Sequence, residues 1–136
     1  MLEHGAGAYA GALRALAQPD ALPAVFFCMA GKDRTGVFAA VLLGLLGVAD
    51  DDIVADYALT HEVIDQIHER TRATRPTVDE VWDRLPADLK GANAATMREL
   101  LGLLRDRWGS PAGYVTEIGV DDATVTRLRN AVLRAA

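Results

Sequence analysis

The sequence has one cysteine in 136 residues, Cys28, so no disulfide can form within the chain, and a reducing, cytoplasmic setting is the expectation. It has no apolar run long enough to span a bilayer. The longest, Val37 to Val48, falls short of about 18 residues. The first 18 residues lack the basic start and apolar stretch of a secretory signal. There is no internal repeat and no low-complexity segment. Positive charge is in deficit: the net charge of −5 argues against nucleic acid as the main partner. What is present is a chain 51% hydrophobic, long enough for one domain with a core and too apolar for disorder. A local basic site is still open to it, because an anion pocket needs only a few cations.

Leu2 to Gln18 is Ala-rich with helical spacing, weakened by Gly5, Gly7 and Gly11. Pro19, Asp20 and Pro23 mark a turn. Ala24 to Cys28 is short and apolar, and reads as a buried strand. A loop over Gly31 to Gly36 leads to Val37–Leu46, apolar nearly all round, which predicts a helix buried on more than one side. Asp50, Asp51 and Asp52 suit the positive start of a second long helix, which Arg75-Pro76 breaks. A short helix is expected over Thr77–Leu85, stopped by Pro86, with a loop over 86–93. Met97, Leu100, Leu101, Leu104 and Trp108 keep the spacing of an amphipathic helix, which residues 109–114 close. A last helix begins near Asp121 and runs past Leu133, with Arg127, Arg129 and Arg134 toward its negative end.

This reading holds many helices and a single strand. A lone buried strand leaves backbone donors and acceptors unpaired, at a cost in free energy. Ala24–Cys28 therefore calls for neighbouring strands, and the chain has none to offer. The expectation is the C-terminal part of a larger α/β domain, largely helical as given, with the rest of the sheet preceding Met1.

A strand, a loop of small residues and a helix make a phosphate-binding layout, because a helix N-terminus offers free N–H groups and a positive dipole end. Gly31 and Gly36 let the backbone approach a ligand closely. The loop is not a Walker A motif, since no glycine stands five places before Gly31-Lys32. It has a thiol at one end and a guanidinium at the other. Cys28, under the loop N–H groups and near Arg34, is where a thiolate is favoured and can act as a nucleophile. Arg34 offers a planar fork for two phosphoryl oxygens. The reaction that follows is in-line attack of the Cys28 sulfur on a phosphate monoester, through a cysteinyl-phosphate that water later hydrolyses. Thr35 is placed to donate to the sulfur. Lys32 is either a phosphate contact or a solvated cation. The sites expected to bind phosphate are Met29, Ala30, Gly31, Lys32, Asp33, Arg34 and Thr35.

Cys-x-x-x-x-x-Arg-Thr-Gly resembles the signature loop of the cysteine-dependent protein tyrosine phosphatase superfamily. The run from Ala30 to Gly36, AGKDRTG, is similar to bacterial tyrosine phosphatases whose loop reads His-Cys-x-x-Gly-Lys-Asp-Arg-Thr-Gly. The likeness continues through the segments after the loop and covers nearly the whole chain. It implies an α/β phosphatase fold, with residues 1–136 as the C-terminal part of one domain: strand 24–28, phosphate loop 28–35, then helices. It implies hydrolysis of phosphotyrosine in proteins, with phosphoserine, phosphothreonine or phosphoinositides as further substrates, and no metal or organic cofactor.

Two departures stand out. Phe27 occupies the place of the family's histidine, which helps order the loop and favour the thiolate. The family's proton-donating aspartate commonly lies on a loop well upstream, and only 27 residues precede Cys28. Asp20 is at the wrong end of the strand. Asp33 is then the one candidate acid within the chain, or else a residue that braces the loop. Without a proton donor, activity falls about 100- to 10,000-fold. The rival reading is a phosphate-binding fragment or pseudophosphatase module that does not turn over. Rhodanese-like or arsenate-reducing chemistry also uses a cysteine-ended anion loop, but the Gly-Lys-Asp-Arg-Thr run speaks against it. His61, Asp65 and His68 share one helix face without further ligands, and read as a solvated face rather than a metal site.

Overall fold

The computed structural model describes residues 1–74, 82–86 and 90–134. Six helices carry the architecture: α1 (Leu2–Leu16), α2 (Asp33–Leu46), α3 (Asp50–Thr74), α4 (Ala94–Trp108), α5 (Pro111–Glu117) and α6 (Asp122–Arg134). The expected helices are all present where they are described. The short helix expected over 77–85 falls mostly outside the described residues.

Helix α2 is the centre. Its apolar residues run round the whole cylinder, and Gly36, Val37, Phe38, Ala40, Val41, Leu42 and Leu45 are buried. It packs against α1, α3 and α5. Gly44 lets the start of α5 come close: a Cβ there would sit 2.7 Å from the Pro111 ring. The helix stops at Gly47, whose φ of 90° suits glycine and closes the last carbonyls through bonds to Leu43 and Gly44. The Asp50–Asp52 run then opens α3 as the sequence predicts.

Helix α4 buries Met97, Leu101 and Leu104, the stripe read from the sequence, and packs on α3 and α5. Asn93 caps it, its side chain accepting from the Ala95 N–H at 2.9 Å. Helix α5 was not foreseen. Residues 109–114 do end α4, at Gly109, but Ser110 then caps a new helix with Pro111 in its first turn. Tyr114 on α5 is buried and donates its hydroxyl to the Leu2 carbonyl at 2.8 Å, which ties the start of α1 into the core.

The buried strand expected over Ala24–Cys28 is not observed. Among the described residues there are no strands, and this segment has no regular secondary structure. Val25 is 89% and Phe27 81% exposed. The physical reason is the one that made the strand awkward in the sequence. A strand's backbone groups need a neighbouring strand, and the described residues supply none; the Cys28 N–H pairs instead with the Thr35 hydroxyl. Phe26 alone turns toward the core, meeting Phe38 edge-on with ring centroids 4.8 Å apart.

Candidate active site

The loop from Cys28 runs into the first turn of α2. Gly31 takes a φ of 65°, a left-handed conformation that glycine adopts without strain, and Lys32 is the N-cap residue of the helix. Thr35 closes the loop on itself: its hydroxyl accepts from the Cys28 N–H at 2.8 Å. The sulfur is thereby held over the N-terminus of α2. Partial burial pushes the Cys28 thiol up. The Thr35 hydroxyl and the N–H groups of Thr35, Ala30 and Lys32 donate to the sulfur and outweigh burial, bringing it down from 9.0 to about 7.

Two cavities open on Cys28. One, of about 440 Å³, lies on the α1 side and is lined by Tyr9, Phe26, Phe27, Arg34 and Thr35 among others. The other, of about 450 Å³, lies toward the end of α3 and is lined by Phe27, Met29, Arg70, Thr71 and Thr74. Cys28, Arg34 and Thr35 are brought together in the first cavity, as the spacing predicts. Met29 belongs to the second and is 64% exposed.

Lys32 is not the solvated cation that was one of the two alternatives read in the sequence. It is only 7% exposed. Its ammonium donates to the carbonyls of Lys90 at 3.4 Å and Gly91 at 3.3 Å, and stands 3.5 Å from Asp33 Oδ1. Asp33 is exposed in the first turn of α2, beside Lys32, and lines neither cavity at Cys28. Its carboxylate faces Tyr57, whose phenol is pushed up first by burial and then by that charge. Gly31, Lys32 and Thr35 border a small cavity of about 80 Å³ on the α3 side of the loop, together with Asp56 and Tyr57.

Two residues at the site carried no signal in the sequence. Tyr9 of α1 lines the first cavity with its ring stacked on Phe38, centroids 6.1 Å apart. Burial pushes its phenol up, Arg34 draws it down and Cys28 pushes it up, so both charges of the loop face it. Arg70 of α3 borders the second cavity. The neighbouring hydroxyls of Thr71 and Thr74 donate to the Ile67 and Thr71 carbonyls.

The two histidines on the α3 face part company. His61 packs on Gly91, where a Cβ would run into its imidazole, and His68 stacks on Trp82 with centroids 4.2 Å apart. Among the described residues, no group of three or more His, Cys, Asp or Glu is placed to hold a metal ion.

The site thus offers an ionisable sulfur, N–H donors aimed at it and a guanidinium in the same cavity, which together suit a tetrahedral anion. Comparison with known proteins agrees with that chemistry. The model of the tyrosine phosphatase family matches residues 1–134. The chain is 31% identical over 121 residues to the triple specificity protein phosphatase PtpB of Mycobacterium tuberculosis, covering 82% of this chain and 44% of that protein. It is also 31% identical over 127 residues to a tyrosine-protein phosphatase of Nostoc commune, covering 85% of this chain and 40% of that one. The chain spans less than half the length of either relative. By the match of a family model along almost its whole length, the chain belongs to the tyrosine phosphatase family.

Proposed function

We propose that the chain carries the phosphate-binding and nucleophile-bearing part of a protein-tyrosine phosphatase domain. The observation that carries this is the Cys28 sulfur, ionised near neutrality by Thr35 and the loop N–H groups, with Arg34 in the same cavity. Phosphotyrosine enters with its phosphoryl oxygens on the N–H groups of Met29 to Arg34 and on the Arg34 fork. The Cys28 thiolate attacks phosphorus, an S–P bond forms and the ester P–O bond breaks. The phenolate leaves and takes up a proton. Water then attacks the phosphorus of the cysteinyl-phosphate, inorganic phosphate departs and the thiolate is restored, with Thr35 donating to the sulfur. Phosphoserine, phosphothreonine and phosphoinositide esters present the same phosphoryl group and are further candidates. No metal or organic cofactor is needed for these steps.

The α/β architecture belongs to this proposal. Ala24–Phe27 is apolar and exposed, as a strand without its neighbours would be, and the relatives are more than twice as long as the matched part. An upstream half would supply those neighbours and the proton donor. A second reading, phosphate binding without turnover, is favoured by one observation: among the described residues, no carboxylate lines either cavity at Cys28. Asp33 supports the loop through Lys32 and stands away from where a leaving oxygen would be.

Hydrolysis of p-nitrophenyl phosphate separates the two readings, because its leaving group needs little protonation. The phosphatase reading expects turnover that Cys28→Ser abolishes and Asp33→Asn largely spares. Loss of activity in Asp33→Asn confined to poor leaving groups would restore Asp33 as the acid. A folded chain that binds orthovanadate but releases no nitrophenol would establish the binding-only reading.

A further inference from the structure

The side chain of Lys32 is the one buried charge of the loop, and the loop's chemistry does not use it. A buried ammonium is costly unless its donors are satisfied. Here the carbonyls of Lys90 and Gly91 take it, 58 and 59 residues away in sequence. The backbone N–H of the same residue donates to the Cys28 sulfur. Lys32 thus faces two ways: its amide toward the nucleophile, its side chain toward the segment before α4.

That segment is itself pinned. Gly91 lies against the His61 ring of α3, so close that any side chain at 91 would overlap it. Ala92 is buried. Asn93 closes the first turn of α4, accepting from the N–H of Ala95 at 2.9 Å through its side chain and of Met97 at 3.4 Å through its carbonyl. The anchor therefore sits on a firm base made by α3 and α4, on the side of the loop away from the 440 Å³ cavity.

We infer that Lys32 is a positioning residue: its side chain, held by the Lys90 and Gly91 carbonyls, fixes the loop amides against the Cys28 sulfur and couples the loop to the start of α4. The cation works by holding backbone in place, through contacts on the far side of the loop from any phosphoryl group. The inference rests on loop geometry and not on turnover, so it can be tested whether or not the chain hydrolyses an ester.

The test is the pH profile of Cys28 alkylation by iodoacetamide, read beside amide hydrogen exchange at Ala95 and Met97, in the full chain and in Lys32→Met. Among the described residues, the charged and titratable groups that line the cavities at Cys28 are the Met1 amine, His4 and Tyr9 of α1, Arg34 of α2 and Arg70 of α3, and the substitution leaves all of them in place. The full chain should show a midpoint at about 7. Lys32→Met should raise it by about one pH unit, a tenfold loss of alkylation rate below the midpoint, and should speed exchange at Ala95 and Met97 about tenfold. Lys32→Gln, neutral but still a donor to carbonyls, should give values between the two, and it carries the test if Lys32→Met does not fold. A raised midpoint with unchanged exchange at Ala95 and Met97 would show Lys32 acting as a through-space charge and overturn the inference. An unchanged midpoint in both variants would overturn it as well. Failure of orthovanadate to bind the full chain would count against the phosphatase reading alone.

Discussion

At the scale of single residues, the balance at Cys28 decides what the loop can do. Burial alone would leave the thiol almost wholly protonated at neutral pH. The Thr35 hydroxyl and three backbone N–H groups reverse that, to about 7. With the folded value depressed, the thiolate is about half formed at pH 7 and falls about tenfold for each pH unit below that, whereas a thiol at 9.0 would be about 1% ionised. Thr35→Val removes a donor and leaves burial in place, so the alkylation midpoint should rise from about 7 toward 9.0. Arg34 is exposed, so changing it should leave the melting temperature where it is. Arg34→Lys keeps the charge and loses the planar fork, and orthovanadate affinity by titration should fall about tenfold or more.

At the scale of elements, the close approach of α3 to the loop depends on Gly36. A Cβ there would stand 2.6 Å from the Tyr57 ring. Gly36→Ala should therefore cost about 1–3 kcal/mol, seen as a lower melting temperature, and should disturb alkylation of Cys28 as α2 shifts. Ser110→Ala removes the side chain that accepts from the Gly113 N–H at 3.0 Å and should cost about 1 kcal/mol. The helices themselves were legible because their signals are local: the all-round apolar run of α2, the aspartates that open α3, the Met97–Trp108 stripe of α4. Helix α5 was passed over because its seven residues fall within a Gly-Ser-Pro stretch that reads as punctuation, although Ser-Pro is also how a helix begins. The proximity of Cys28, Arg34 and Thr35 was legible, because their spacing brings them together in one cavity. Tyr9, Arg70 and the burial of Lys32 were not, because each depends on a contact between residues far apart in sequence.

At the scale of the whole molecule, the ends of the chain meet in the core. Burial pushes the Tyr114 phenol up to about 12, so at any ordinary pH it remains a donor to the Leu2 carbonyl. Tyr114→Phe would leave that buried carbonyl without this partner, at a cost of about 1–3 kcal/mol, and the first turn of α1 should exchange its amides faster. Arg14 of α1 adds a second tie to the same region, donating to the Gly119 carbonyl at 2.6 Å. Helix α1 forms one wall of the Cys28 cavity through Tyr9, so loosening it should also weaken orthovanadate binding.

The exposed run before the nucleophile has a consequence for how copies of the chain meet one another. From Ala21 to Gly31 there is no Asp, Glu, Lys or Arg, and Val25, Phe27 and Met29 are exposed. Its exposed part, Ala24 to Phe27, is apolar and rich in β-formers, and is a template for edge-to-edge stacking into cross-β fibrils. Asp20 and Pro23 on one side and Lys32, Asp33 and Arg34 on the other are its gatekeepers. A net charge of −5 keeps copies apart in dilute, low-salt solution and is screened as salt rises. Thioflavin-positive aggregation should therefore grow with salt and with concentration, and a lysine in place of Phe27 should suppress it.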